Sequence, residues 1–236
     1  MMGRSTRDGR GEPRPGSPAR GGRFRSCPLR PRPRPAKAAG MAFRPDLVLF
    51  VRYPVPGQCK TRLIPALGAE GAAALHRRLA ERSAAVLRAA GGPVVIAYTG
   101  ADEAAFRAWL GPDHAYVAQA EGDLSARLIP FAARAPVIFF GADTPDLAPA
   151  HVTAAVAALA THPVAVGPAE DGGYYCLALR EPRTDLLTDM PWSTSAVLGE
   201  TLRRLAATGT PAALLETLAD CDRPEDLARW PGLAPC

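Results

Sequence analysis

Apolar residues along the chain arrive in short continuous runs separated by stretches of helical spacing. The first run, 47–51, stops at a Pro-rich loop over 53–57. A continuous run of this length predicts a strand covered on both faces of a sheet. Residues 70–90 then set Ala73, Leu75, Leu79, Val86 and Leu87 among Arg and Glu at helical spacing, and Gly91 with Gly92 closes that helix. The alternation continues with a strand over 94–98, a helix near 102–110, a short strand at 115–118, a helix over about 124–133 and a strongly apolar strand at 137–140. A helix over roughly 149–160, strands at 164–166 and 174–179, a helix over about 194–207 and a last strand near 213–217 complete the series. Strands alternating with helices of this length imply an α/β fold, with a mainly parallel central sheet and helices on both faces. No internal repeat is visible.

Charge divides the chain of 236 residues unevenly. The formal net charge is +5, but the first 40 residues hold ten Arg and Lys37 against only Asp8 and Glu12. The remainder carries 17 basic and 21 acidic side chains. Its cations therefore act as single placed groups and not as a phosphate-coating field, which argues against a nucleic-acid partner. The leader 1–40, rich in Arg, Pro and Gly, has too few large apolar residues to offset its ordering entropy and is expected to be disordered. It lacks the apolar stretch of a secretory signal, and its seven prolines disfavour a transit-peptide helix. Met41 directly precedes the first strand and reads as an alternative start. Residues 41–236 suffice for a single domain.

Cysteines at 27, 59, 176, 221 and 236 form no Cys-x-x-Cys pair, so neither a disulfide framework nor a zinc knuckle is indicated, and a reducing cytoplasm fits. No apolar run approaches the ~20 residues that span a bilayer, so no membrane partner is expected.

Chemistry concentrates where the strands should end, which in an open α/β sheet is the ligand crevice. After the first strand, Gly57 permits a tight turn, and Lys60, Thr61 and Arg62 offer an ammonium, a hydroxyl and a planar fork of donors suited to a di- or triphosphate. This is no Walker loop, since Cys59 stands where Gly is required before Lys; the alternative is a solvated loop. Asp143 follows the most apolar strand, as a metal ligand or, with Thr144, as the cap of a helix begun by Pro145. Asp222 lies in a similar acidic pattern after the last strand. Two carboxylates converging from different strands fit magnesium, or manganese in the same role, completed by water and substrate phosphates. Asp220 and Asp226 are expected to serve the turn and the helix start.

The segment Glu170-Asp171-Gly172-Gly173-Tyr174 pairs glycines that let the backbone approach a ligand with an acid placed to act as a base or second metal ligand, or else forms an ordinary hairpin turn. Gln119, Gly122 and Asp123 could read a nucleobase, with Arg127 one helical turn on. Trp192-Ser193-Thr194 is part of an acceptor pocket or a helix cap. Acceptor binding thus falls to Gly172, Gly173, Tyr174, Trp192 and Ser193. The histidines at 76, 114, 151 and 162 share no motif.

In this order the segments resemble the GT-A-type nucleotide-diphospho-sugar transferase superfamily. More narrowly, they are similar to small transferases associated with radical-SAM and selenodomain proteins, labelled arsenosugar-biosynthesis glycosyltransferases. The likeness covers about 47–230 and rests on Pro54-Val55-Pro56-Gly57 with Lys60-Thr61-Arg62-Leu63, Gln119 with Gly122-Asp123-Leu124, 168–174, and 220–227. It implies a Rossmann-like GT-A fold in which Lys60 and Arg62 hold nucleotide phosphates, Asp143 and Asp222 the metal, and Gln119 with Gly122 the base. Lys60 and Asp171 are the candidate catalytic groups, Asp171 positioning or deprotonating the acceptor. The chain departs from the family pattern at Ser125, where a second Gly is usual, at Thr144 in place of Cys and at Arg223 in place of Thr, and it lacks an Asp-x-Asp triplet.

The implied partners are a nucleotide sugar and a small-molecule acceptor. Similar segments in guanylyltransferases that activate phospholactate and in molybdenum cofactor nucleotidyltransferases imply an alternative, nucleotidyl transfer from a nucleoside triphosphate to a phosphorylated small molecule. A further alternative is a nucleotide-binding regulator without turnover.

Overall fold

Each apolar run becomes a strand of one sheet. In the computed structural model, which describes residues 44–233, the strands are β1 (Asp46–Arg52), β2 (Val94–Thr99), β3 (Ala115–Ala118), β4 (Val137–Phe140), β5 (Val164–Pro168), β6 (Tyr174–Leu179) and β7 (Ala212–Leu214). The leader, its expected disorder and Met41 lie outside the described residues. Five helices connect the strands: α1 (Ile64–Ala89), α2 (Glu103–Leu110), α3 (Leu124–Ala132), α4 (Pro149–Thr161) and α5 (Val197–Ala207). Among the described residues no helix is long and apolar enough to cross a membrane.

The sheet order is β3-β2-β1-β4-β6-β5-β7. Pairing is parallel except along β6, which runs antiparallel to both β4 and β5. Side chains alternate across the sheet as the period of two requires. Leu47, Leu49, Val51, Ile96, Ile138 and Phe140 face a core layer shared with α1, α2 and α4. Val48, Ala97, Val137, Phe139, Val164 and Val166 face the opposite layer, shared with α3 and α5. Helices thus cover both faces, which is why the strands read as unbroken apolar runs.

One reversed strand has a consequence for chemistry. The carboxyl ends of β1, β4, β5 and β7 and the amino end of β6 all open on the same edge of the sheet, so four loops distant in sequence meet there.

Three boundaries differ from those expected, each for a local reason. Helix α1 begins six residues before 70, with Pro65 in its first turn and a break at Gly68, whose φ of 70° and ψ of 168° are not helical. Helix α5 begins three residues after 194, because Ser193 takes φ 63° and the Thr194 hydroxyl donates to Pro191 O at 2.7 Å and accepts from Ala196 N–H. Strand β7 stops at Leu214, well short of 217, although contact with β5 resumes where Leu218 N–H donates to Pro168 O at 3.1 Å.

Candidate active site

Loop 53–60 leaves β1 by a tight path. Gly57 holds φ 79°, Gln58 N–H donates to Val55 O, and Cys59 is buried. Lys60 itself adopts the left-handed region, φ 47° and ψ 43°, where a residue with a Cβ is strained. A short 3-10 turn, Thr61–Leu63, follows and drives Leu63 into a small apolar cluster with Ala72, Leu75, Leu79 and Cys221. That cluster lays the chain after β7 against the start of α1. Cys221 N–H then donates to Asp143 O at 2.9 Å, tying the loop after β4 to the same place. Hydrophobic burial therefore gathers residues that lie 161 and 162 positions apart.

At this junction the Lys60 ammonium is enclosed. Its side chain is 3% exposed and lies 2.5 Å from Asp143 Oδ1 and 2.8 Å from Asp222 Oδ1, while also donating to Cys221 O at 2.8 Å. An ammonium has three N–H donors, and these three acceptors occupy them all. Burial alone would pull its pKa down, but the charges and hydrogen bonds of Asp143 and Asp222 win and hold it above the ordinary lysine value. For Asp143, desolvation pushes up and the Lys60 charge and hydrogen bond, with a contribution from His76, pull further down, leaving it below the usual carboxylate range. Asp220 goes the other way: burial, reinforced by Asp143 and Asp171, lifts it to about 6, against the Thr144 hydrogen bond and Lys60.

These groups line a cavity of about 920 Å³, within the range of sites for small ligands. Lys60, Thr61, Arg62, Asp143, Asp171, Gly173, Tyr174, Trp192, Ser193 and Asp222 all border it. Its lining includes charged groups, Arg52, Lys60, Arg62, Arg223 and Arg229 with Asp143, Glu170, Asp171, Asp220, Asp222 and Asp226. It also includes Leu124, Tyr174, Trp192 and Val197 with Ser193, Thr194 and Ser195. Trp192 is fixed there by a relay in which its Nε1–H donates to Ser125 Oγ at 2.8 Å and that hydroxyl donates to Leu187 O at 2.6 Å. Ser125, singled out in the sequence as a departure, thus anchors the cavity's aromatic wall.

The remaining sequence candidates are spent on the scaffold. Gln119 turns its amide back to donate to Ala97 O at 2.8 Å, Asp123 caps α3 by accepting from Ala126 N–H at 2.9 Å, and Arg127 donates to Gly122 O. None of these, nor Gly57 or Gly172, borders the cavity. At Gly172, φ is 89° and the backbone of Ser195 passes so close that a Cβ would stand 2.3 Å from its carbonyl oxygen, so the missing side chain accommodates the protein's own chain. The 169–173 segment is indeed the β5–β6 hairpin connection, with Asp171 Oδ1 accepting from Gly173 N–H at 2.8 Å while Asp171 also borders the cavity. Asp143 and Thr144 cap no helix, since α4 begins only at Pro149. Thr144 donates instead to Asp220 Oδ1 at 2.7 Å. Asp226 accepts from the backbone N–H groups of Asp222 and Arg223 at the start of the 3-10 helix Pro224–Arg229, the helix-start role expected for it.

Sequence reasoning missed Asp220, Arg52, His76 and the Arg229–Glu170 pair as parts of the cavity wall. Asp220 carried a signal in its place two residues before Asp222, and Glu170 in its place beside Asp171. Arg229 meets Glu170 through two hydrogen bonds of 2.6 and 3.0 Å across 59 residues, a contact without any local trace.

The donor set suits a hard divalent cation. Asp143 and Asp222 present carboxylates 47% and 43% exposed to the cavity, and each gives only one oxygen to Lys60. The second Asp222 oxygen receives Arg62 at 3.3 Å. Among the described residues no group of three or more His, Cys, Asp and Glu forms a ready cage. One or two carboxylates supplemented by water and substrate phosphates is the arrangement magnesium uses.

Comparison with known proteins agrees with this architecture. Residues 81–194 match a family described as an uncharacterized protein conserved in bacteria (DUF2064). No curated protein matches the chain. A solved structure from Desulfovibrio desulfuricans G20, named as a candidate nucleotide-diphospho-sugar transferase, is 30% identical, with a TM-score of 0.71 over 75% of this chain and 82% of that one. Rv0371c from Mycobacterium tuberculosis H37Rv is 21% identical, with a TM-score of 0.52 over 80% and 98% of the two chains. The 4-diphosphocytidyl-2C-methyl-D-erythritolsynthase of Anaerococcus prevotii DSM 20548 is 8% identical, with a TM-score of 0.51 over 78% and 94%. The last two share the fold. With its identity to the Desulfovibrio protein spread over most of both molecules, and its DUF2064 segment at the centre, the chain belongs to the DUF2064 family and has the α/β fold of a nucleotide-diphospho-sugar transferase.

Proposed function

We infer that the protein is a metal-dependent transferase that moves a glycosyl group from a nucleoside-diphosphate sugar to a hydroxyl of a small molecule. The observation that carries this reading is the convergence of Lys60, Arg62, Asp143 and Asp222 on one cavity at the carboxyl edge of the sheet. The 30% identical relative, named as a candidate nucleotide-diphospho-sugar transferase, supports the choice of donor. The charge balance supports the metal: five basic against six acidic side chains leave no surplus for a diphosphate.

Asp143 and Asp222 would hold magnesium or manganese, which supplies positive charge for the oxygens of the departing diphosphate. Arg62, exposed at the cavity rim, faces the same oxygens with a planar fork of donors. Tyr174, Trp192 and the hydroxyls beside them form the acceptor wall, and Leu124 closes its edge. Asp171 orients the acceptor hydroxyl and receives its proton as the oxygen bonds to the anomeric carbon. The bond from that carbon to the phosphate oxygen breaks, and nucleoside diphosphate leaves. The buried free thiols of Cys59, Cys176 and Cys221 accord with a cytoplasmic setting.

The test supplies magnesium with a panel of sugar nucleotides and nucleoside triphosphates and follows the released product. Nucleoside diphosphate from a sugar nucleotide supports glycosyl transfer. Pyrophosphate released from a triphosphate only when a phosphorylated acceptor is present replaces it with nucleotidyl transfer, and ligand binding without any release points to a regulator.

A further inference from the structure

The chain uses lysine only twice among its 28 basic residues, at Lys37 and Lys60, and arginine elsewhere. Lys60 is therefore the sole lysine of the described residues, and its surroundings explain why arginine would not serve. Two carboxylate oxygens and a carbonyl surround Nζ at 2.5 to 2.8 Å. A compact ammonium with three rotatable donors satisfies that arrangement, whereas a planar guanidinium with five fixed ones does not. The backbone at Lys60 is held in the left-handed region to deliver the side chain there, strain of the kind that collects at functional sites.

The same carboxylates are the ones suited to a divalent cation. A dication joining Asp143 and Asp222 while Lys60 kept its contacts would press two positive centres together. Removal of Lys60 from those acceptors with nothing in return would leave an enclosed charge unpaired, which is costly. A phosphate group offers the missing acceptors.

We propose that Lys60 is the internal cation of this site, and that a divalent ion and a pyrophosphate group enter as a pair by dividing its contacts: the ion takes Asp143 and Asp222, and the phosphate takes the released ammonium. The proposal rests on the transferase reading only insofar as that reading brings a diphosphate to the cavity. Metal and diphosphate then bind with positive coupling, and linkage makes the coupling equal in both directions. A substrate without a diphosphate offers the ammonium no replacement acceptors, so it does not draw the metal in.

Binding alone tests this, with no donor sugar required. Mn2+ is titrated calorimetrically into the full chain with and without inorganic pyrophosphate, each run corrected by a protein-free blank for the metal–pyrophosphate complex. Pyrophosphate should tighten Mn2+ by at least about tenfold, and Mn2+ should tighten pyrophosphate by the same factor. In parallel, Lys37→Arg leaves a single lysine, whose 15N-labelled Nζ resonance should move when Mg2+ and pyrophosphate are both present and stay in place with either alone. Lys60→Met should bind Mn2+ alone at least about tenfold more tightly than the parent, with the coupling reduced below about twofold. Equal Mn2+ affinity with and without pyrophosphate overturns the proposal, as does an Nζ resonance that moves with Mg2+ alone. Absence of Mn2+ binding under every condition overturns it too. These results are separate from turnover: coupling with pyrophosphate release in place of sugar transfer would leave this proposal standing and remove only the glycosyl reading.

Discussion

Replacement of Gly172 by alanine should cost far more than its place in a surface hairpin suggests. The residue holds φ 89°, and a Cβ there would stand 2.3 Å from Ser195 O, 2.7 Å from its Cα and 2.8 Å from its carbonyl carbon. All three are backbone atoms, so no rotamer change relieves the contact. Left-handed strain contributes about 1 to 2 kcal/mol and crowding about 1 to 3, a total of about 2 to 5 kcal/mol. For a domain of this size each kcal/mol lowers Tm by about 2 to 4 °C, so a fall of about 4 to 20 °C is expected. Gly209 provides the control. It also has positive φ, 61°, but nothing lies within 4 Å of its Cβ position, so Gly209→Ala should cost the strain alone. The functional consequence is local as well, since Leu198 N–H donates to Gly172 O at 2.9 Å and this contact locks the Asp171 loop to the chain entering α5. Urea and thermal denaturation of the two variants decide the matter. Equal losses at Gly172 and Gly209 would refute the claim that close backbone packing fixes the hairpin.

Two further changes probe the cavity walls. Burial raises the folded-state pKa of Asp220 from its ordinary 3.8 to about 6, so the folded protein holds a proton that the unfolded chain releases. Its contribution is harmless below pH 4, grows unfavourable as pH rises from about 4 to 6, and levels off above that at about 3 kcal/mol. Asp220→Asn, which keeps an acceptor for Thr144, should therefore gain stability relative to the parent between pH 4 and 7 in urea titrations; a difference independent of pH contradicts this. Ser125→Ala removes the acceptor of the Trp192 indole, a loss of about 1 to 3 kcal/mol for a partly buried donor. In a Trp109→Phe, Trp230→Phe background its emission should shift to the red and iodide should quench it more strongly, and an unchanged spectrum would show that the relay does not hold the ring.

The sheet was legible because strands covered on both faces announce themselves, as 47–51 and 137–140 do, and because α/β alternation leaves few topologies. The reversal of β6 was not, since Tyr174–Leu179 is as apolar as the parallel strands of the sheet and direction leaves no mark on composition. At the site, residue types at strand ends pointed to Lys60, Arg62, Asp143 and Asp222, and these meet. What the pattern could not contain was their stoichiometry: three acceptors saturating one ammonium come from two distant loops, two of the contacts spanning 161 and 162 residues. Gln119 shows the converse limit. An amide at a strand end reads as a base recogniser, yet here it satisfies the β2 backbone at Ala97 O, a choice made only when the strands pair.

The most direct measurement is magnesium-dependent release of nucleoside diphosphate from a sugar nucleotide by the parent protein and by Asp143→Asn, with circular dichroism to verify the fold of both. Loss of one charged ligand of the divalent ion that would stabilise the departing diphosphate should lower turnover by about 100-fold or more while the spectrum is retained. Turnover within about threefold of the parent would remove Asp143, and with it the convergent acidic site, from the chemistry of this protein.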